Sequence, residues 1–177
     1  MEADFLYREF KRPDLRVDDN LIQVNNLARQ VRTIFKDPKI IEAIKEVHQF
    51  GSSSAKVQEV LLAQMLKLGF SSEKEGLFKN MDVSGIRPDY YKALEGGGII
   101  FEVERGKTIA NNMDLLDVWK THICQEAKHL FLMVPRVRVN KENREQKIFL
   151  AVEKRIGAFF AERIHPIDVN TVHLFGY

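Results

Sequence analysis

The stretch Gly98-Ile99-Ile100-Phe101-Glu102-Val103-Glu104 decides how the rest of this chain is read. A strand alternates its side chains, so Glu102 and Glu104 share one face while Phe101 and Val103 share the other. Two acids about 7 Å apart repel by roughly 2 kcal/mol at an effective dielectric of about 20. Upstream, Arg87-Pro88-Asp89-Tyr90-Tyr91 carries a third acid on a second strand-like run. If the two strands are neighbours, Asp89 adds to the repulsion, and a divalent cation removes it. The pattern therefore reads first as a metal-binding carboxylate cluster and second as a charged strand face.

Composition sets the outer bounds. The 177 residues suit one domain, 1–177, with a proper core. Hydrophobic residues make up 45% and charged residues 29%, an ordinary globular balance. The formal net charge of +2 neither demands nor excludes nucleic acid, because distribution matters more than the sum. Cys124 is the one cysteine, which leaves no intrachain disulfide and no Cys-based zinc site. Met1-Glu2-Ala3-Asp4 lacks the apolar core of a signal peptide, and no apolar run approaches the roughly 18 residues of a membrane span. A soluble, cytoplasmic protein without membrane contact is expected.

Periodicity orders the elements. Leu21, Val24, Leu27, Ala28, Val31 and Ile34 recur at helical spacing, and Asp37-Pro38 starts a second amphipathic stretch through Ile40, Ile41, Ile44 and Val47. The first 53 residues read as a helical extension. Gly51-Ser52-Ser53-Ser54 breaks it, and a helix over 55–68 packs through Val57, Leu61, Met65 and Leu68 before Gly69. Short strands follow over 75–78, 86–91 and 98–104, with turns that suit an antiparallel meander. Asn111-Asn112 caps a helix to about Cys124. The apolar run from His129 to Val134 reads as a strand buried on both faces, as a parallel crossover produces. A helix over 141–164 and a last strand over 171–175 complete an α/β chain with the order α-β-β-β-α-β inside flanking segments.

That order, with Pro88-Asp89 on one strand and Glu102 on the next after the twelve residues 90–101, resembles the PD-(D/E)xK (restriction-endonuclease-like) nuclease superfamily. The resemblance covers the core over 54–135, with a C-terminal helix and strand over 136–177 outside it. It implies a mixed central sheet flanked by helices and metal-dependent hydrolysis of DNA phosphodiesters by an Mg²⁺ (or Mn²⁺) endonuclease. It also implies a homodimer, since cutting two strands commonly takes two active sites. Asp89 and Glu102 would ligate the metal, Glu59 on the first core helix would bind through a water, and the Val103 carbonyl would be a further ligand. Glu104 stands where the family usually has Lys, a variant with Glu-x-Glu in place of Glu-x-Lys. It would complete a second metal site or take a proton from the attacking water. The missing positive charge would come from Lys107 or from Lys120 on the following helix.

Blander readings stand beside these. Pro-Asp is a common turn dipeptide and acid-x-acid a common solvated strand face. Glu59 also fits a solvated helix surface, Glu73 and Glu75 compete for its role, and Arg87 could form a structural ion pair with Asp89. The five histidines lack metal-ligand spacing. Cys124, and Trp119 with Leu115, Leu116 and Ile123, read as core. Arg136, Arg138, Arg144, Lys147 and Lys154 could meet phosphates or form an ordinary solvated face. The alternative function is a catalytically inactive nucleic-acid-binding or interaction protein on the same fold.

Overall fold

The structure is a computed structural model that describes residues 5–48, 54–72, 78, 86–105, 108–139, 144–161 and 167–177. A strand β1 (Leu6–Lys11) is followed by helices α1 (Asp19–Ile34), α2 (Pro38–Val47) and α3 (Ser54–Lys67). Strands β2 (Ser71–Ser72), β3 (Tyr90–Lys92) and β4 (Gly98–Val103) come next, then helix α4 (Met113–Ile123) and strand β5 (Ala127–Val134). Short strands β6 (Arg138–Val139) and β7 (Glu145–Gln146) pair as a separate ribbon before helix α5 (Ile148–Phe160) and strand β8 (Thr171–Gly176). The main sheet runs β1-β8-β5-β4-β3-β2. β3 pairs antiparallel with both β2 and β4, β4, β5 and β8 are parallel, and β1 closes the edge antiparallel to β8.

The sheet divides two cores by side-chain parity. Phe101, Val103, Phe131, Met133 and Phe175 face α1, α2 and α3 through Val24, Val31, Ile44, Val57, Leu61 and Met65. Ile100, Leu130, Leu132, Val172 and Leu174 face the other way, toward α4 and α5 through Val118, Val152 and Ile156. The expectation for 129–134 holds. β5 lies between two parallel neighbours, and His129 to Val134 are fully buried.

Caps explain several helix starts. Asp18 accepts from the Leu21 N–H at the head of α1, and Asp37 accepts from the Lys39 N–H with Pro38 in the first turn of α2. Gly69, at φ +79°, ends the α3 segment with its N–H on the Leu66 carbonyl. The Tyr90 hydroxyl donates to the Gln58 carbonyl at 2.5 Å, which ties α3 to the sheet.

Three expectations need correction, and a fourth lies mostly outside the described residues. Residues 6–11 are not part of a helical extension but the edge strand β1. Leu6 and Phe10 pack toward α5 while Tyr7 packs toward α1, and the charges of Arg8, Glu9 and Lys11 mask that alternation. The C-terminal helix is shorter than 141–164, because Glu145-Gln146 pairs with Arg138-Val139 instead of extending it. The run over 86–91 pairs only from Tyr90 onward. Residues 75–77 of the first expected strand lie outside the described residues, and Phe78 is a turn residue at φ +59°.

Gly98 fixes the start of β4. A Cβ there would lie 2.5 Å from the Tyr91 hydroxyl and 2.7 Å from the Lys92 carbonyl. That hydroxyl donates to the Glu126 carbonyl, which also accepts from the Gly98 N–H. Gly98→Ala is expected to cost about 1–3 kcal/mol through overpacking, read as a lower urea midpoint at unchanged slope.

Candidate functional site

The three acids picked out by spacing meet on the α4 side of the sheet. Asp89 precedes β3, and Glu102 is the penultimate residue of β4. The Asp89 N–H donates to Glu102 Oε2 at 3.3 Å, and Asp89 Oδ2 accepts from the Val103 N–H at 2.7 Å. These reciprocal bonds lock the two strand segments together. Glu104, just beyond β4, donates its N–H to the Met133 carbonyl and stays level with the end of β5. Glu102 is buried and Glu104 partly so.

The fourth side of the site comes from α4. Its buried positions are Asp114, Asp117, Val118 and Thr121, at the spacing of one helix face. Leu116, Trp119 and Ile123 are exposed instead, so the expectation that they pack in the core is overturned. A helix that turns acids inward and a Trp outward needs partners for those acids. Lys120 supplies one, with Nζ 2.6 Å from Glu102 Oε1 and 3.1 Å from Asp117 Oδ1. Arg155 of α5 supplies another. Its Nε lies 3.3 Å from Asp114 Oδ2, and its other nitrogens donate to the Asn112 side chain and the Ile109 carbonyl. Asn112, at φ +55°, starts α4 without a side-chain cap bond, so Arg155 holds the turn that a cap would otherwise hold.

Among the described residues, Lys120 pairs with Glu102 and Asp117, and the charges of Asp89 and Asp117 act on Glu102 and Glu104. Burial, then the charges of Asp117 and Asp89, push the Glu104 carboxyl up to about 8. Burial and Asp117 also raise Glu102 well above its ordinary range, against the pull of Lys120. Burial lifts Asp117 to about 6. Burial disfavours the Lys120 charge, but Glu102 and Asp117 outweigh it and hold the ammonium well above its usual value. Asp117 Oδ2 is buried with no hydrogen-bond partner.

Of the other expected residues, Val103 is joined to Asp89 through its amide. Glu59 is exposed on α3 and is not among the charges acting on Glu102 or Glu104. Lys107, Glu73 and Glu75 lie outside the described residues. Arg87 is exposed. Among the described residues no group of three or more acids, histidines or cysteines is spaced to hold an ion, and no helix is long and apolar enough to cross a membrane. Asp117, Asp114 and Arg155 were not singled out from the sequence. The signal for Asp117 was its place three residues before Lys120, one helical turn along the same face.

No protein-family model matches the chain, and no curated protein compared with it is similar.

Proposed function

We propose that the chain is a metal-dependent nuclease that hydrolyses DNA phosphodiester bonds, on a restriction-endonuclease-like core running from α3 to β5. One observation carries the reading. Asp89, Glu102 and Glu104 converge with Lys120, a cation that stands in for the absent motif lysine. The order α3-β2-β3-β4-α4-β5, antiparallel up to β4 and parallel after it, supports the same core.

The donor set fits Mg²⁺ or Mn²⁺. All the donors are hard oxygens, the kind these ions prefer. Mg²⁺ keeps several waters and commonly takes only one or two carboxylates besides substrate oxygens, so a preformed cage of three is not required. Asp89 and Glu102 would hold the ion, with the Val103 carbonyl as a further donor. Bound there, the ion would lower the pKa of a water and offset charge on the phosphate.

The chain's own residues supply the rest. Glu104, its carboxyl raised to about 8, is suited in its ionised form to take the proton of the attacking water at a carboxylate oxygen. Lys120 pulls the raised Glu102 carboxyl back toward ionisation, orients it, and offers positive charge where negative charge grows on the phosphate. Arg155 braces the first turn of α4, the helix that carries Lys120. Glu59 has no assigned step, and its exposure favours the solvated-surface reading. A homodimer remains part of the proposal for double-strand cleavage.

The test is nicking of supercoiled plasmid with Mg²⁺ or Mn²⁺, beside the Asp89→Ala, Glu102→Ala double variant. The expected result is cleavage that EDTA and the double variant both remove. DNA binding without cleavage in either protein would move the assignment to an inactive binding protein on this fold.

A further inference from the structure

β4, β5 and β8 run parallel, so their carboxyl ends form one edge of the sheet, where ligands of α/β proteins commonly bind. On the α4 face that edge carries Glu104. On the opposite face, against α2, it opens into a cavity of about 280 Å³. That volume lies just below the usual range for small-molecule sites, about 300–1,000 Å³. The rings of Phe35, His48 and Tyr177 and the side chain of Ile44 line it, and Lys45 and Arg136 add two cations.

The lining combines three kinds of group. His48 and Tyr177 meet edge to face, with ring centroids 5.2 Å apart, so the wall is aromatic. His48 Nδ1 is buried there without a hydrogen-bond partner. Lys45 is exposed and Arg136 partly so, both of a sign that attracts phosphate. Aromatic rings beside cations are the general means of holding an unpaired nucleotide, by stacking on the base and pairing with its phosphate. Tyr177 also joins this cavity to the acid site, because its hydroxyl donates to the Glu104 carbonyl at 3.1 Å.

We propose that this cavity takes the base of an unpaired nucleotide, with Lys45 and Arg136 on the flanking phosphate, while the strand continues over the sheet edge to Glu104. The inference rests on the nuclease reading for its strand and deepens it to DNA with an unpaired or extruded nucleotide. The same base and phosphate chemistry would also fit a free mononucleotide.

The experiment measures binding by anisotropy in EDTA at about 50 mM salt, so that it is independent of cleavage. The ligands are a fully paired duplex, the same duplex with a one-nucleotide bulge, and dAMP. Wild-type protein is expected to bind the bulged duplex at least tenfold more tightly than the paired one. Val137→Trp, at a partly exposed lining position, fills the cavity without changing charge and is expected to abolish that preference. Lys45→Glu is expected to weaken bulge binding about tenfold. Lys11→Glu, exposed on β1 at the opposite end of the sheet beside Thr171, serves as the charge control and should leave the preference intact.

Equal binding of bulged and paired duplexes, or no binding of either, overturns the proposal. So does a preference that survives Val137→Trp. Binding of dAMP that Val137→Trp removes, without any preference for the bulge, also overturns it and assigns the cavity to a free nucleotide. If the bulge preference holds but plasmid is not cleaved with Mn²⁺, the nuclease reading fails and the nucleotide site stands.

Discussion

Lys120→Met is expected to lower metal-dependent cleavage by at least about a hundredfold, the usual scale for losing one preorganised charge-stabilising group. It is also expected to make the fold unstable at alkaline pH. Lys120 is the cation within salt-bridge distance of both Glu102 and Asp117, and removing one member of a buried pair commonly costs about 3–5 kcal/mol. The acids can escape part of that cost by taking up protons, so the loss depends on pH. Lys120→Arg keeps the charge and should recover most of the stability. Its larger planar group makes recovery of the rate incomplete. Retention of full activity by Lys120→Met would remove Lys120 from the mechanism and return the question to Lys107.

Glu104 makes the same argument in the wild-type protein. Its folded value, about 8, lies above its unfolded value near 4.5. The folded state therefore keeps a proton that the unfolded chain has already released. Stability declines as pH rises from about 4.5 and levels off above about 8, by up to about 5 kcal/mol. A metal ion competes with those protons. Mn²⁺ should raise the melting temperature more at about pH 8.5 than at about pH 6, and Glu104→Gln should flatten the alkaline decline. An Mn²⁺ shift that ignores pH would separate Glu104 from the metal's surroundings.

The sequence was legible where one face of an element is apolar and the other is not. Glu102 and Glu104 were readable because Ile99, Ile100, Phe101 and Val103 leave no doubt about the strand, and alternation then fixes which residues share a face. The parallel placement of β5 followed from an apolar run with no polar face. α4 misled for the opposite reason. Its apolar residues Leu116, Trp119 and Ile123 make a proper helical stripe, and that stripe is turned outward. Periodicity finds a stripe but does not say what it faces. Here the partners of the inward acids are Lys120, on α4 itself, and Arg155, which is 41 residues beyond Asp114 (positions 114 and 155). β1 was hidden because its pairing partner β8 lies at the other end of the chain, and its own charges break the apolar alternation.

The opposite face of the sheet should fail at the other end of the pH scale. His129 and His173 are fully buried beneath α1. Asn20 donates its amide protons to the Glu95 and Gly97 carbonyls, which leaves its Oδ1 to accept from His129 Nε2 at 2.7 Å. His129 Nδ1 then accepts from the Thr171 hydroxyl. His173 Nδ1 meets the Tyr7 hydroxyl at 2.8 Å, and its Nε2 has no partner. Arg32 stacks over the Tyr7 ring, so a new positive charge there meets another. Burial lowers His129 to about 4, with Asp18 pulling weakly the other way, and burial and then His129 lower His173 to about 3. Both folded values lie below the unfolded one, 6.5, so the unfolded chain binds protons first. Stability is present above about 6.5 and falls as pH drops toward 4 and 3, by about 3 kcal/mol for His129 alone. Melting curves from pH 8 to 4 should show that fall. His173→Phe, which keeps a ring against Phe131, should move the acid transition to lower pH, and an unmoved transition would mean that His173 does not drive it. The two faces thus oppose each other. The carboxylates weaken the fold as pH rises, the histidines weaken it as pH falls, and Mn²⁺ should lift the alkaline side more than the acid side.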